Sequence, residues 1–203
     1  MPYRRTPAIQ VRLDAQRAAI VEAATAVLAA DGYGACSVAA VASRAGVAAG
    51  TVYRHFDSKG ALVAEVFRAV VGREVQAVRN CVRGESQSLD QIAAVITTFA
   101  RRALASPRLA YALLAEPVED RVAALRLEFR TEFRDIVAAA IVEGVEDGRL
   151  PPQNEAIVAA ALIGAIAEAL VGPLATRDDD PVIISTLVQF AHRSLGAFDA
   201  AHA

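Results

Sequence analysis

The chain has 203 residues, and 55% of them are hydrophobic, so its length allows one or two domains with a substantial core. Its two cysteines lie far apart and form no Cys-x-x-Cys pair, which argues against a disulfide scaffold or a zinc site and suits a reducing, cytoplasmic environment. The formal net charge is −2, but residues 1–83 hold 11 basic and 6 acidic residues for a net +5, and the remainder carries −7. If it is not chance, this asymmetry is typical of a protein that faces phosphate with one end only.

Apolar periodicity and the abundance of alanine predict an all-α protein of about nine helices. Residues 1–11 form a basic flexible arm, and a first helix covers about residues 14–30 and ends at the glycines of residues 31–34. Ser37 caps a second helix that Gly46 ends, and Ser58 caps a fourth that continues to Val82. The third helix and the later ones are predicted at about residues 49–56, 88–105, 108–114, 118–146, 153–171 and 181–198, separated by prolines and glycines.

The segment that carries most information is residues 37–56, which reads as two short helices joined by a turn at Gly46. The second of these helices is rich in polar, aromatic and basic side chains. This layout is typical of a helix-turn-helix, whose second helix lies in the major groove of DNA. The spacing of four apolar residues predicts a buried scaffold for the unit: Val38, Val41, Val52 and Phe56.

In its residues and their spacing, the region of about residues 12–70 resembles the TetR family of bacterial transcription regulators. The resemblance implies a DNA-binding domain with three helices and a connecting helix over residues 12–83, and an effector-binding and dimerisation domain over residues 84–203. It also implies a homodimer that binds double-stranded operator DNA, most often as a repressor. A small apolar effector is expected to release this repressor from the DNA. The matching residues are Arg17, Ile20, Gly32, Tyr33, Ser37, Val38, Val41, Ala42, Ala45, Gly46, Val47, Gly50, Thr51, Val52, Tyr53, His55, Phe56, Lys59 and Leu62.

By the same resemblance, Thr51, Tyr53, His55 and Lys59 contact DNA. Their hydroxyl, phenol, imidazole and ammonium groups can donate to phosphate oxygens. Two alternatives stay open, namely that Tyr53 is half core and that His55 only bonds a neighbour. The predicted DNA-binding residues are Ser37, Arg44, Ala49, Gly50, Thr51, Tyr53, Arg54, His55 and Lys59.

The start of the recognition helix departs from the family pattern, because Ala48 and Ala49 offer no hydrogen bond to a base. Base reading then depends on Thr51 and Arg54, with help from the second helix and from DNA shape. The arm adds Arg4 and Arg5 as candidates for the flanking minor groove, if it is not simply an unstructured tail.

The second domain is expected, by resemblance, to hold an apolar pocket, although aromatic residues at helical spacing are also common in plain cores. The predicted pocket residues are Phe99, Tyr111, Leu125, Phe129 and Phe133. The last two long helices are where the resemblance puts the dimer interface, because small residues permit close helix crossing. The predicted interface residues are Ala160, Ala161, Gly164, Ala165, Leu187 and Phe190.

Other functions fit the sequence less well. No nucleophile–base trio, phosphate-binding loop or metal-ligand spacing is visible, so we predict neither an enzyme nor a cofactor or metal. The acidic residues Glu116, Glu119 and Asp120 are interpreted as a solvated loop. The apolar run from residue 156 is interrupted by Glu168, which argues against a membrane span, and the first residues lack the apolar core of a secretory signal. The alternative function is a sensor that acts through a protein partner without binding DNA.

Overall fold

The computed structural model describes residues 7–85, 87–177 and 180–196, and over these ranges the chain forms nine α-helices and no strand. The all-α prediction is therefore confirmed for this part of the chain, and Arg4 and Arg5 lie outside it. The helices are α1 (Pro7–Ala35), α2 (Val38–Ala45), α3 (Ala49–His55), α4 (Lys59–Val82), α5 (Ser88–Ala105), α6 (Pro107–Leu114), α7 (Asp120–Glu146), α8 (Glu155–Thr176) and α9 (Val182–Ser194).

Helix α1 begins earlier than its sequence predicts. It starts at Pro7, so residues 7–11 are helical rather than part of a flexible arm. Proline is well suited to the first position of a helix, because its missing N–H would have no partner there. The predicted break at the other end is confirmed: Gly32 has φ +80° and interrupts the helical backbone, a conformation that glycine adopts at little cost.

The helix-turn-helix is capped as its sequence predicts. Ser37 Oγ accepts a hydrogen bond from the Ala40 amide at 3.1 Å, and Ser58 Oγ accepts one from the Ala61 amide at 3.0 Å. Gly46 ends α2 in the left-handed conformation, with φ +66°, as required of a tight turn between two crossing helices. Val41 and Val52 are fully buried and Phe56 is 5% exposed, which confirms them as scaffold.

Helix α8 continues past the predicted stop at residue 171. It runs through Pro173 and ends at Thr176, where Arg177 adopts φ +58°. A proline this close to the end of a helix removes one hydrogen bond, and the Thr176 hydroxyl donates to the Gly172 carbonyl at 3.0 Å. By length and composition α8 could cross a bilayer, a test that the core helix of a soluble protein also passes. One face of α8 packs in the core through Leu162, Ile166, Leu170 and Leu174.

Helix α4 joins two hydrophobic cores. Its first half, with Leu62, Val66 and Phe67, packs with α1, α2 and α3. Its second half, with Val75 and Val78, packs with α5, α7, α8 and α9. The side chains of α6 and the start of α7 also reach the first core. Helix α4 therefore links the helix-turn-helix directly to the second group of helices, α5 to α9. The division of the chain into two domains after residue 83 stays a prediction.

An ion pair braces α1 against α4. Arg17 Nη1 lies 2.8 Å from Glu65 Oε1, and the Arg17 guanidinium lies 4.9 Å from the centre of the Phe56 ring. The hydrogen bond from Arg17 lowers the pKa of the Glu65 carboxyl. Folded protein therefore binds fewer protons than unfolded protein just below the ordinary pKa of glutamate, and the stabilisation is present above that pKa and lost as the pH falls.

We expect Glu65→Gln to lower the free energy of unfolding by about 1 kcal/mol at neutral pH, since both partners are partly exposed. The difference between variant and wild type should shrink as the pH falls below the ordinary pKa of glutamate, about 4.3, and disappear once the carboxylate of the folded wild type is also protonated. Urea denaturation of both proteins across this pH range measures it. A difference that is equally large in acid would mean that the ion pair is not its source.

Candidate DNA-binding surface and effector cavity

The outer face of α3 carries three exposed or half-exposed polar side chains. Tyr53 is 55% exposed and its hydroxyl has no protein partner among the described residues. Arg54 Nη2 donates to Thr51 Oγ1 at 3.1 Å, which holds the two side chains together on one edge of the helix. Because Val52 and Phe56 occupy the opposite face, this edge is free to enter a groove of DNA, as the helix-turn-helix requires.

His55 is engaged within the domain. Its Nε2 donates to Gln16 Oε1 on α1 at 3.0 Å, so the structure favours the alternative in which this side chain bonds a neighbour. Partial burial, followed by the nearby charges of Arg54 and Arg17, lowers the pKa of the imidazole. At neutral pH the ring is thus neutral and positions the start of α1 beside α3, and a direct contact with DNA stays a prediction.

Lys59 is also partly used inside the domain. Its Nζ donates to the Tyr33 carbonyl at 2.9 Å and lies 4.1 Å from the centre of the Tyr33 ring. An ammonium has three donors, so the geometry leaves protons for a phosphate at the start of α4. Lys59 therefore combines a structural contact with its predicted DNA contact.

The remaining predicted DNA-binding residues lie on the same side of the domain. Arg44 is exposed in the last turn of α2, and Ala49 and Gly50 are exposed at the start of α3. A Cβ at Gly50 would meet nothing within 4 Å, so the backbone there is open to close approach. Ser37 is exposed, and its oxygen is used in capping α2.

The second group of helices encloses an apolar cavity of about 450 Å³. This volume is within the usual range for small-molecule sites. Four phenylalanines line it in two ring pairs: Phe67 and Phe129 lie 5.6 Å apart, and Phe99 and Phe133 lie 5.3 Å apart. The wall is completed by side chains of α4, α5, α6, α7 and α8, so an occupant would touch α4 directly.

Three of the five predicted pocket residues, Phe99, Phe129 and Phe133, line this cavity, and two do not. Tyr111 faces away from it, into a shallow polar depression that also contains Asp31 and Arg177. Leu125 is 5% exposed in the core shared with the helix-turn-helix. Both lie on helices that line the cavity, and the helical turn directs these two side chains to other faces.

The edge of the cavity is positively charged. Arg73, Arg102, Arg126 and Arg130 contribute to it, against the single carboxylate of Glu74. Glu74 is paired with Arg102, so three arginines remain without a carboxylate partner in the described ranges. An apolar chamber with such an edge suits a ligand that has an apolar chain and an anionic end.

Of the three acidic residues at the junction of α6 and α7, Glu119 and Asp120 are exposed as predicted, but Glu116 is half-buried, and both glutamates contact the DNA-binding domain. Glu116 Oε2 accepts a hydrogen bond from the Tyr33 amide at 2.6 Å, and Glu119 Oε1 accepts one from the Tyr33 hydroxyl at 3.3 Å. The residues next to Tyr33 and Lys59 are glycines, Gly32 and Gly60, and any Cβ there would press on these carboxylates. The sequence contained one signal for this contact, the two glycines, but no pattern that paired them with residues so far along the chain.

Exposed faces of α8 and α9 carry most of the predicted interface residues. Ala161, Gly164 and Phe190 are exposed, while Ala160 and Ala165 are half-buried. The same faces expose Ile157 and Val182 at 68% and 58%. The predicted interface residue Leu187 is instead buried in the core of its own subunit, because it lies on the side of α9 that packs against α5.

No three histidine, cysteine, aspartate or glutamate side chains group to hold a metal ion anywhere in the described ranges.

Comparison with known proteins bears on the function. A model of the bacterial regulatory proteins of the tetR family matches residues 20–66, which span the helix-turn-helix. The transcriptional repressor KstR2 of Rhodococcus jostii strain RHA1 is 30% identical over 137 residues, which cover 66% of this chain and 67% of the relative.

A second relative is the fatty acid metabolism regulator of Bacillus subtilis strain 168, 25% identical over 64% of this chain and 69% of its own. Among solved structures, the FadR regulator of Bacillus subtilis in complex with stearoyl-CoA has a TM-score of 0.76 at 19% identity, covering 89% of this chain and 98% of the other. The FadR regulator of Bacillus halodurans has a TM-score of 0.72 at 22% identity, with the same coverage. The two structures show that the fold is shared.

Proposed function

The chain belongs to the TetR family of bacterial transcription regulators, and we propose that it is a homodimeric repressor whose effector joins an apolar chain to an anionic end. A DNA-binding regulator, rather than an enzyme, is what its family contains. The finer statements rest mainly on one observation: a phenylalanine-lined cavity with unpaired arginines at its edge touches the helix that carries the DNA-binding core.

The DNA-binding part of the proposal is supported by α3. Thr51, Tyr53 and Arg54 present a hydroxyl, a phenol and a guanidinium on one open edge. Phosphate contacts from such groups orient the helix, and Arg54 can read a guanine. The alternative of a sensor that has lost DNA binding gives no reason for this polar edge.

The dimer is supported by the exposed faces of α8 and α9. Ile157, Ala161 and Gly164 follow one another at helical spacing, and apolar faces of this kind are normally covered by a partner. A twofold dimer also presents two recognition helices to the two halves of a palindromic operator. Such a protein acts on DNA in the cytoplasm, without a membrane.

The class of effector is supported by cavity and relative together. The FadR structure of Bacillus subtilis was solved with stearoyl-CoA, a molecule with a long acyl chain and several phosphates. The phenylalanines of the cavity can pack against an acyl chain, and its arginines can bind phosphate groups. An effector that binds one conformation better than the other shifts the protein towards it and thereby changes its affinity for DNA.

Titration of fluorescent DNA from upstream of the protein's own coding sequence tests the proposal. We expect saturable binding that is stronger than to random DNA and weakens as the salt concentration rises. Stearoyl-CoA should release the DNA, and coenzyme A alone should not. Binding without preference over random DNA would contradict the operator, and stearoyl-CoA without effect would contradict the effector class.

Filling the cavity should separate the two activities. Ala110 is half-buried on α6 and lines the cavity, so Ala110→Phe is expected to weaken stearoyl-CoA binding by about tenfold or more, since an added ring overpacks an occupied site. Affinity for DNA without effector should stay within about twofold, because α3 is untouched. Ala124→Phe, at an exposed position of α7 outside the cavity, is the matched control. Thermal-shift and DNA titrations measure both quantities, and unchanged effector binding in Ala110→Phe would place the effector elsewhere.

A further inference from the structure

Arg126 occupies a position between the cavity and the segment that joins α6 to α7. Arg126 lines the cavity, while its Nε donates to the Leu113 carbonyl at 2.8 Å and its Nη2 donates to the Glu116 carbonyl at 3.0 Å. A longer contact, 3.5 Å, reaches the Ala112 carbonyl. Its hydrogen-bond partners among the described residues are all neutral carbonyls, and its partial burial and the neighbouring Arg130 lower its pKa. The side chain is thus a cation that holds the end of a helix and has no anion of its own.

The segment that Arg126 holds is itself attached to the DNA-binding domain. The Glu116 carboxylate accepts a hydrogen bond from the Tyr33 amide at 2.6 Å. The Tyr33 carbonyl in turn accepts a hydrogen bond from the Lys59 ammonium at 2.9 Å. Glu119 adds a contact to the Tyr33 hydroxyl and packs on Gly60 at the start of α4. A continuous series of contacts therefore leads from the cavity through Arg126, Glu116 and Tyr33 to the first turn of α4, directly after the recognition helix.

We propose that Arg126 is the positioning residue through which an anionic group in the cavity controls the DNA-binding domain. This inference rests on the proposed function for its effector, but the contacts themselves are present without one. A guanidinium and an anion attract each other through their opposite full charges as well as through a hydrogen bond, whereas a neutral carbonyl offers only its dipole. An anionic group beside Arg126 therefore draws the guanidinium away from Leu113 and Glu116. The link between α6 and α7 is then released, and the hold of Glu116 on Tyr33 weakens.

Arg130 provides the contrast that makes the proposal specific. It lies one helical turn from Arg126 and also lines the cavity, but it is exposed and makes no hydrogen bond to any residue that the structure describes. Arg130 can add to the attraction of an anion, whereas it holds no part of the link. The two arginines should therefore affect binding of the effector and response to the effector differently.

The experiment compares Arg126→Gln with Arg130→Gln, using operator DNA with and without saturating stearoyl-CoA. Without stearoyl-CoA, Arg126→Gln should bind DNA about tenfold more weakly than wild type and more weakly than Arg130→Gln, since only Arg126→Gln removes the hydrogen bonds that hold the link. The ratio of DNA dissociation constants with and without stearoyl-CoA should be about tenfold in wild type and in Arg130→Gln, and close to 1 in Arg126→Gln. Circular dichroism and the oligomeric state check that the variants are folded.

Glu116→Ala is the second variant, because Glu116 lies outside the apolar cavity. It should bind stearoyl-CoA like wild type in a thermal-shift titration but lose the response of its DNA affinity. Wild-type affinity and response in both Arg126→Gln and Glu116→Ala would overturn the proposal. If wild type ignores stearoyl-CoA while Arg126→Gln still weakens DNA binding, the proposed effector class fails, and only the hold of Arg126 on the link between α6 and α7 is supported. If wild type responds and both variants respond equally, only the role of Arg126 fails.

Discussion

Gly164→Arg is expected to convert the protein into a monomer and to weaken binding to a full operator by about 100-fold or more. Gly164 is exposed on α8, and a Cβ there would meet nothing within 4 Å in its own subunit. An arginine therefore leaves the subunit intact, and it favours a helix more than glycine does. In the proposed dimer the same position meets a partner helix, where a long charged side chain prevents close approach. The second recognition helix then loses its high effective concentration at the operator.

Analytical ultracentrifugation and DNA titration measure the two effects. Leu127→Arg is the matched control, since Leu127 is 64% exposed on α7 and receives the same charge outside the α8 and α9 faces. Affinity for a DNA fragment with a single half-site should be the same for Gly164→Arg and wild type. A Gly164→Arg protein that remains dimeric with full operator affinity would show that α8 does not form the interface.

Tyr53→Ala is expected to weaken operator binding by about 100-fold. The proposed dimer has two copies of Tyr53, and a hydrogen bond to a charged group contributes about 1.5–3 kcal/mol. Because the side chain is largely exposed and its hydroxyl has no protein partner in the described part of the chain, stability should change little. Random DNA should lose affinity too, since phosphate contacts carry no base information. Wild-type affinity in Tyr53→Ala would remove this residue from the DNA surface.

Lys59→Ala gives a useful comparison. Its loss removes a cation as well as the contacts with the carbonyl and ring of Tyr33. We therefore expect both a lower free energy of unfolding and a reduced dependence of DNA affinity on salt, by about one released counterion per subunit. Tyr53→Phe, which removes only a hydroxyl, should leave the salt dependence unchanged while lowering the affinity.

Much of the DNA-binding domain could be predicted from the sequence, because its determinants are local. Ser37, Gly46 and Ser58 mark helix ends through hydrogen bonds and backbone angles that involve residues only a few positions away. Val41 and Val52 recur at helical spacing, so their burial follows from periodicity alone. Once the buried positions of this short helix are assigned, Tyr53 and Arg54 follow as its exposed edge.

The second domain shows where local patterns stop. Periodicity predicts that a face of α6, α7 or α9 is buried, but not what covers it. Tyr111 and Leu125 therefore entered the predicted pocket although they point elsewhere, and Leu187 entered the predicted interface although its own subunit buries it. Chamber, core and interface are all lined by the same apolar residue types, and only the packing of several helices distinguishes them.

The local sequence was sufficient to predict the order of the helices, the caps of α2 and α4 and the polar edge of α3, since each depends on neighbours within a turn or two of the same helix. Packing between distant helices fixes which arginine holds the link between α6 and α7 and which carboxylate holds Tyr33. Arg126 and Glu116 are ordinary charged residues on the printed sequence, and Tyr33 lies 83 positions before Glu116. Their partners are distant backbone groups, which every residue type carries, so no residue pattern could announce the contact before the chain had folded.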